Sequence, residues 1–120
     1  MIGTWQALVI DCEEPAQLAG FYQELLGMVT VQSDEDGSWV SIGDAADRPA
    51  IAFQRVPDYQ PPEWPGQVTP QQAHLDVKVP DLDVGETEVL AIGAVLTGQG
   101  GRNFRVYLDP QGHPFCLVSW

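Results

Sequence analysis

Asp58-Tyr59-Gln60-Pro61-Pro62-Glu63-Trp64-Pro65-Gly66-Gln67-Val68-Thr69-Pro70-Gln71-Gln72 lies near the midpoint of a 120-residue chain and carries four prolines and a glycine. Proline lacks a backbone donor and restricts the residue before it, so neither a helix nor an inner strand is expected to run through this stretch. It reads as a connector over residues 58–72. The segments on either side read alike, each as a strand, a helix and three short strands. Residues 1–57 therefore form a first module and residues 73–120 a second, within a single α+β domain.

In the first module, Trp5 to Ile10 is a short apolar run suited to a buried strand. Asp11, Glu13 and Glu14 precede Pro15, where acids and a first-turn proline announce a helix. Leu18, Phe21, Tyr22, Leu25 and Leu26 fall on one helical face, and Gly27 supplies the left-handed stop. Met28–Gln32, Ser38–Ile42 and Ala50–Val56 follow as strands, with residues 33–37 and 43–49 as polar loops. Alternation along the last strand groups Ala52 with Gln54 on one face and Ile51, Phe53 and Arg55 on the other.

In the second module, Ala73–Val79 alternates cleanly: Ala73, Leu75, Val77 and Val79 face one way, His74, Asp76 and Lys78 the other. Asp81-Leu82-Asp83 opens a second helix that stops at Gly93. Ala94–Thr97, Asn103–Leu108 and His113–Ser119 are the remaining strands. Gly98, Gly100 and Gly101 mark one turn, and Asp109-Pro110-Gln111-Gly112 another. Matching the helix entries, and Gly27 with Gly93, sets Ala7 opposite His74 and Ala52 opposite Cys116.

Composition narrows the function. Seventeen acidic against five basic residues give a net charge of −12, which repels phosphate backbones and anionic lipid, so no nucleic acid and no membrane partner is expected. An apolar content of 44% supports a packed core. Cys12 and Cys116 are the only cysteines and define no disulfide framework, and no apolar run nears the ~20 residues that span a bilayer. A cytoplasmic protein with reduced thiols is the expectation.

Three motifs taken together resemble the vicinal oxygen chelate superfamily of glyoxalases, bleomycin-resistance proteins and extradiol dioxygenases. They are Phe21-Tyr22-x-x-Leu25-Leu26-Gly27, then His74-Leu75-Asp76-Val77 with Asp81-Leu82, and Asp109-Pro110-x-Gly112-His113-Pro114-Phe115. The resemblance covers the whole chain and is greatest to small glyoxalase-like domains. It implies two tandem βαβββ modules in an open curled mixed sheet, with ligand or metal inside the half-barrels, and a homodimer.

Metal-dependent members of that superfamily place ligands on the first and last strands of each module. The corresponding positions here are Ala7, Ala52, His74 and Cys116, and only His74 keeps the usual ligand type. A divalent centre generally needs three or more protein ligands, so no metal site and no cofactor are expected unless Gln54, Asp76 or His113 turns toward the same point. His74, Gln54, Asp76, Trp39, Arg105 and Cys116 are the ligand-binding candidates, and His74 is the best catalytic candidate. Cys116 has no cation beside it in sequence to lower its pKa, so it reads as an inert thiol.

Three functions remain open on these residues. The leading one is a metal-free small-molecule-binding protein of the resistance type. The second is a glyoxalase-like enzyme, a lyase or isomerase, that uses either a divalent metal or His74 as acid and base. The third is an interaction module whose working surface includes the aromatic connector from Tyr59 to Trp64, which could cover a cavity mouth or pack across a dimer.

Overall fold

The computed structural model describes residues Met1–Trp120, which gather into two units, Met1–Tyr59 and Gln60–Trp120. Each unit runs strand, helix, strand, strand, strand and forms its own four-stranded mixed sheet. The fold class is thus the α+β tandem βαβββ arrangement expected from the sequence.

The first unit contains β1 (Leu8–Cys12), α1 (Pro15–Leu26), β2 (Val29–Ser33), β3 (Trp39–Ala45) and β4 (Arg48–Arg55). Pro15 occupies the first turn of α1, where its missing donor costs nothing, while Glu14 holds the N-cap position without a side-chain bond to the helix. Gly27, at φ 68°, closes α1 and donates its N–H to the Gln23 carbonyl. Leu18, Phe21 and Tyr22 are buried on the sheet side, and the Tyr22 ring stacks on Phe53 at 5.6 Å. Burying each such side chain stabilises the fold by roughly 1.5–3 kcal/mol.

Strand β1 pairs in parallel with β4, and the order across this sheet is β1-β4-β3-β2. The structure corrects a loop here. Residues 43–49 are not a polar excursion, because β3 continues to Ala45 and β4 begins at Arg48, with Ala45 and Arg48 paired across a two-residue turn. Gly43 makes this possible: a Cβ there would lie 1.8 Å from the Arg48 carbonyl oxygen, so only glycine permits the approach at this register shift.

The second unit contains β5 (Leu75–Lys78), α2 (Leu82–Ala91), β6 (Val95–Gly100), β7 (Phe104–Leu108) and β8 (Pro114–Val118), ordered β5-β8-β7-β6. Asp81 caps α2 by accepting from the Asp83 and Val84 backbone N–H groups at 2.8 and 3.0 Å. Gly98 and Gly100 belong to β6 and not to a turn: Gly100 pairs with Arg105 beyond a register shift after Leu96. Asp109 is buried at the next turn, where its carboxylate accepts from Gln111 N–H at 2.9 Å and His113 N–H at 3.0 Å. That closure is what Asp109, Gly112 and His113 contribute at the entry to β8.

The connector carries no helix or regular strand, as its prolines require. It folds back on itself: Glu63 N–H donates to the Thr69 carbonyl at 2.6 Å, beside an isolated bridge between Glu63 and Pro70. The Trp64–Pro65 peptide is cis. No helix is long and apolar enough to cross a membrane.

Candidate functional site

The parallel pairings fix an equivalence between the two units. Val9 is partnered with Ala52 in one and Asp76 with Cys116 in the other. Two residues earlier on the entering segments stand Ala7 and His74, so Ala7 matches His74 and Ala52 matches Cys116, in agreement with the sequence alignment of the halves.

In the second unit, alternation separates the two faces of the sheet. Leu75, Val77, Arg105, Tyr107, Phe115 and Leu117 share the face that carries α2. His74, Asp76, Val106, Cys116 and Val118 belong to the opposite face. Val106, Cys116 and Val118 are almost fully buried there, with Trp64 and Phe104 packed against them. Trp64 reaches this place because the connector doubles back, and its indole stacks on the His74 imidazole with centroids 4.8 Å apart and planes 18° from parallel.

Three chemically active side chains converge at that stack, His74 and Asp76 exposed and Cys116 buried. The His74 Nε2 atom lies 3.3 Å from Asp76 Oδ1, at ion-pair distance. One ligating atom from each of His74, Asp76 and Cys116 falls within 4.8 Å of the others. Burial pushes the Cys116 thiol up to about 11, with the Asp76 charge and the hydrogen bond that the thiol donates to Asp76 adding to the shift. At neutral pH the thiol therefore keeps its proton. The group can hydrogen-bond a ligand and can move a proton through the imidazole, but it is a poor thiolate nucleophile.

These residues do not fit the four-ligand centre that the superfamily resemblance implies. Two of its positions, Ala7 and Ala52, present methyl groups. The Cys116 position offers a thiol, which gives up its proton when it coordinates a metal. Asp76 does join His74 and Cys116, as one rescue of the site would need; Gln54 sits in the first unit, and His113 is engaged at the Asp109 turn through its backbone.

The other sequence candidates fall elsewhere. Trp39 and Gln54 are direct cross-strand partners in the first unit, on the face turned from α1 together with Ser41 and Ala52. Arg105 lies on the helix-bearing face of the second sheet. Its guanidinium donates to Asp83 at 2.6 Å, to Glu86 at 3.1 Å and to the Leu82 carbonyl at 3.4 Å. The hydrogen bonds it donates to these carboxylates, that to Asp83 foremost, raise its pKa above the ordinary arginine value. It ties α2 to β7 and does not join the His74 cluster. Sequence reading placed Trp64 in the connector without assigning it to His74; an aromatic residue in a proline-stiffened loop ten positions before a polar strand face was the only signal.

Comparison with known proteins bears on the fold and the family. No curated protein sequence matches the chain significantly. Solved structures match its fold: the fosfomycin resistance protein FosX from Listeria monocytogenes, in a complex with Mn(II) and 1S,2S-dihydroxypropylphosphonic acid, superposes with a TM-score of 0.72 at 13% identity, over 99% of this chain and 91% of that one. A glyoxalase/bleomycin resistance protein/dioxygenase family enzyme from Burkholderia phytofirmans gives 0.69 at 15% identity, over 95% and 96%. A protein from Agrobacterium tumefaciens solved in solution gives 0.70 at 15%, over 98% of both chains. The glyoxalase-like domain model matches residues 7–118, from the segment entering β1 to the last residue of β8. With that span covering both βαβββ units and the His74 cluster, the chain belongs to the glyoxalase-like domain family.

Proposed function

We propose that the protein binds a small molecule without a metal, in the manner of the resistance-type members of its superfamily, and that His74, Asp76 and Cys116 line the site. The observation that carries this reading is the register match of Ala7 with His74 and Ala52 with Cys116, which leaves half of the expected ligand positions with nothing to coordinate; Asp76 brings the donors at the His74 cluster to three, the least a divalent centre uses, so metal content is the measurement that decides. An imidazole, a carboxylate and a neutral thiol beside an indole and two valines make a mixed polar and apolar surface of the kind that holds organic ligands. Trp39 and Gln54 form a second candidate surface in the first unit. The net charge of −12 favours capture of cationic over anionic compounds. A homodimer is the expected working form by resemblance to the superfamily.

Elemental mass spectrometry of protein purified without chelator tests the reading. Metal should stay at trace level, and soaking in zinc, nickel, manganese or iron should not load one ion per chain. One equivalent of metal that is lost in His74→Ala would overturn it. A ligand found by thermal shift should lose its effect in the same variant.

A second reading is favoured by the 3.3 Å approach of Asp76 to His74: a carboxylate at that distance can orient an imidazole for acid–base catalysis. Turnover of a ligand identified in the screen, abolished by His74→Ala and weakened by Asp76→Asn, would establish it.

A further inference from the structure

We propose that Trp64 is a displaceable lid, whose indole occupies the stacking place over His74 that the ring of a flat aromatic ligand takes when the connector opens. This rests on the small-molecule reading above and adds to it a ligand class and a gate.

Three observations carry it. The indole and the imidazole are stacked almost in parallel, the arrangement that a bound aromatic ring would adopt against His74. The indole also packs against the buried floor of Val106, Cys116 and Val118, so the same side chain touches His74 and the apolar floor, while Asp76 stays exposed beside them. The segment that carries it closes on itself, since between Glu63 and Pro70 its regular backbone pairing is one isolated bridge and the Glu63 to Thr69 hydrogen bond, both internal to the loop. A short proline-rich loop closed on itself can swing as a unit with few bonds to break.

The closed state also carries an internal penalty. In the same connector, Gln71 Oε1 is buried with no protein donor against it. A buried acceptor left unpaired disfavours the conformation that buries it, so moving the connector would relieve this cost while breaking the indole stack. The stack and the floor contacts hold the lid down. A planar ring that replaces the indole keeps the contacts with His74 and the valines while releasing the connector, and this is the differential interaction a lid needs in order to respond to a ligand.

The two cysteines report on the lid without any natural ligand. Cys116 lies under Trp64, whereas Cys12 is buried in the first unit, its Sγ donating to the Gln54 carbonyl at 3.7 Å. Iodoacetamide labelling at pH 8, read residue by residue by mass spectrometry, is the experiment. In Trp64→Ala, Cys116 should be modified at least about tenfold faster than in the unaltered protein, with Cys12 unchanged. In Trp64→Phe, which keeps a flat ring, the rate should stay within about twofold of the original. Millimolar indole should slow Cys116 labelling in Trp64→Ala, and cyclohexanol should not. Equal Cys116 rates with and without Trp64, or a parallel rise at Cys12, would overturn the lid. Equal effects of indole and cyclohexanol would overturn the preference for planar rings. A natural-compound screen that finds no ligand, alongside lid-dependent labelling, would count against the small-molecule reading and leave the lid standing.

Discussion

The two βαβββ units share one topology and use it differently. In the first, α1 is held to its sheet by apolar and aromatic packing: Leu18, Phe21 and Tyr22 meet a face carrying Val40, Ile42, Ile51 and Phe53. In the second, α2 adds polar bonds to the packing of Val89 and Gly85, with Arg105 and the Tyr107 hydroxyl both donating to Glu86 and Arg105 also donating to Asp83. The opposite faces are reversed in character. The first unit places Ala52 and Ser41 where the second places Cys116 and Val106, with His74 and Asp76 alongside. A duplicated fold can thus gather its ionisable groups on one unit's open face, as the second does with His74 and Asp76.

Truncation of the aromatic pair should have the largest effect. Phe53→Ala removes the partner of Tyr22 from a fully buried site and should destabilise the protein by about 3–5 kcal/mol in urea unfolding. If the cost were below that of the polar changes in the second unit, the contrast between the helices would fail. Next comes Gly43→Ala, which forces a Cβ into the Arg48 carbonyl and should cost on the order of 2 kcal/mol or more.

Glu86→Ala should come third. It leaves the buried Tyr107 hydroxyl without its acceptor and should cost about 1–3 kcal/mol. Its loss should depend little on salt if the Tyr107 bond dominates, and should shrink with added salt if the Arg105 pair does. Gly85→Ala sharpens the comparison at the small end. Its Cβ would meet Leu117 Cδ1 at 3.1 Å and both Val79 methyls at 3.3 Å, so crowding offsets the gain in helix propensity and the net change should stay within about 1 kcal/mol.

A pH measurement separates the units in another way. The Cys116 thiol is raised from 9.0 to about 11 and the Tyr107 phenol from 10.0 to about 12, each chiefly by burial. Both groups are neutral when protonated, so the folded state favours the protonated form. Their contribution is fully present below the ordinary values and is lost as pH rises, from about 9 to 11 for Cys116 and from about 10 to 12 for Tyr107. Urea midpoints measured from pH 8 to 11 should fall, and Cys116→Ala should flatten that fall. An unchanged pH slope in the variant would show that the thiol is not held as described.

Local signals in the sequence were enough for most of the fold. Pro15 and Gly27 bracket α1 to the residue, and the alternation from Ala73 to Val79 correctly sorts His74 and Asp76 from Leu75 and Val77. The β3–β4 turn was obscured because Asp44, Asp47, Arg48 and Pro49 look like loop residues, while the pairing depends on the missing Cβ of Gly43. The site was half legible. Strand period identifies which residues share a face but not which face carries the helix, so Arg105 was grouped with His74. Trp64 lay beyond reach, since its stack on His74 depends on how the connector folds back and no periodic pattern encodes that.

The parallel pairing inside each unit also sets an order of events. Leu8 finds Ile51 and Leu75 finds Phe115, so the first strand of each unit waits for roughly forty residues of later chain before it has a partner. During synthesis, the hairpins β2–β3 and β6–β7 and the helices can form from neighbouring sequence, while β1 and β5 remain unpaired edges. Residues 1–59 bring β4 to β1 before the second unit is complete. The half of the chain with the plainer surface can thus be folded while the half that carries His74 and Cys116 is still being made.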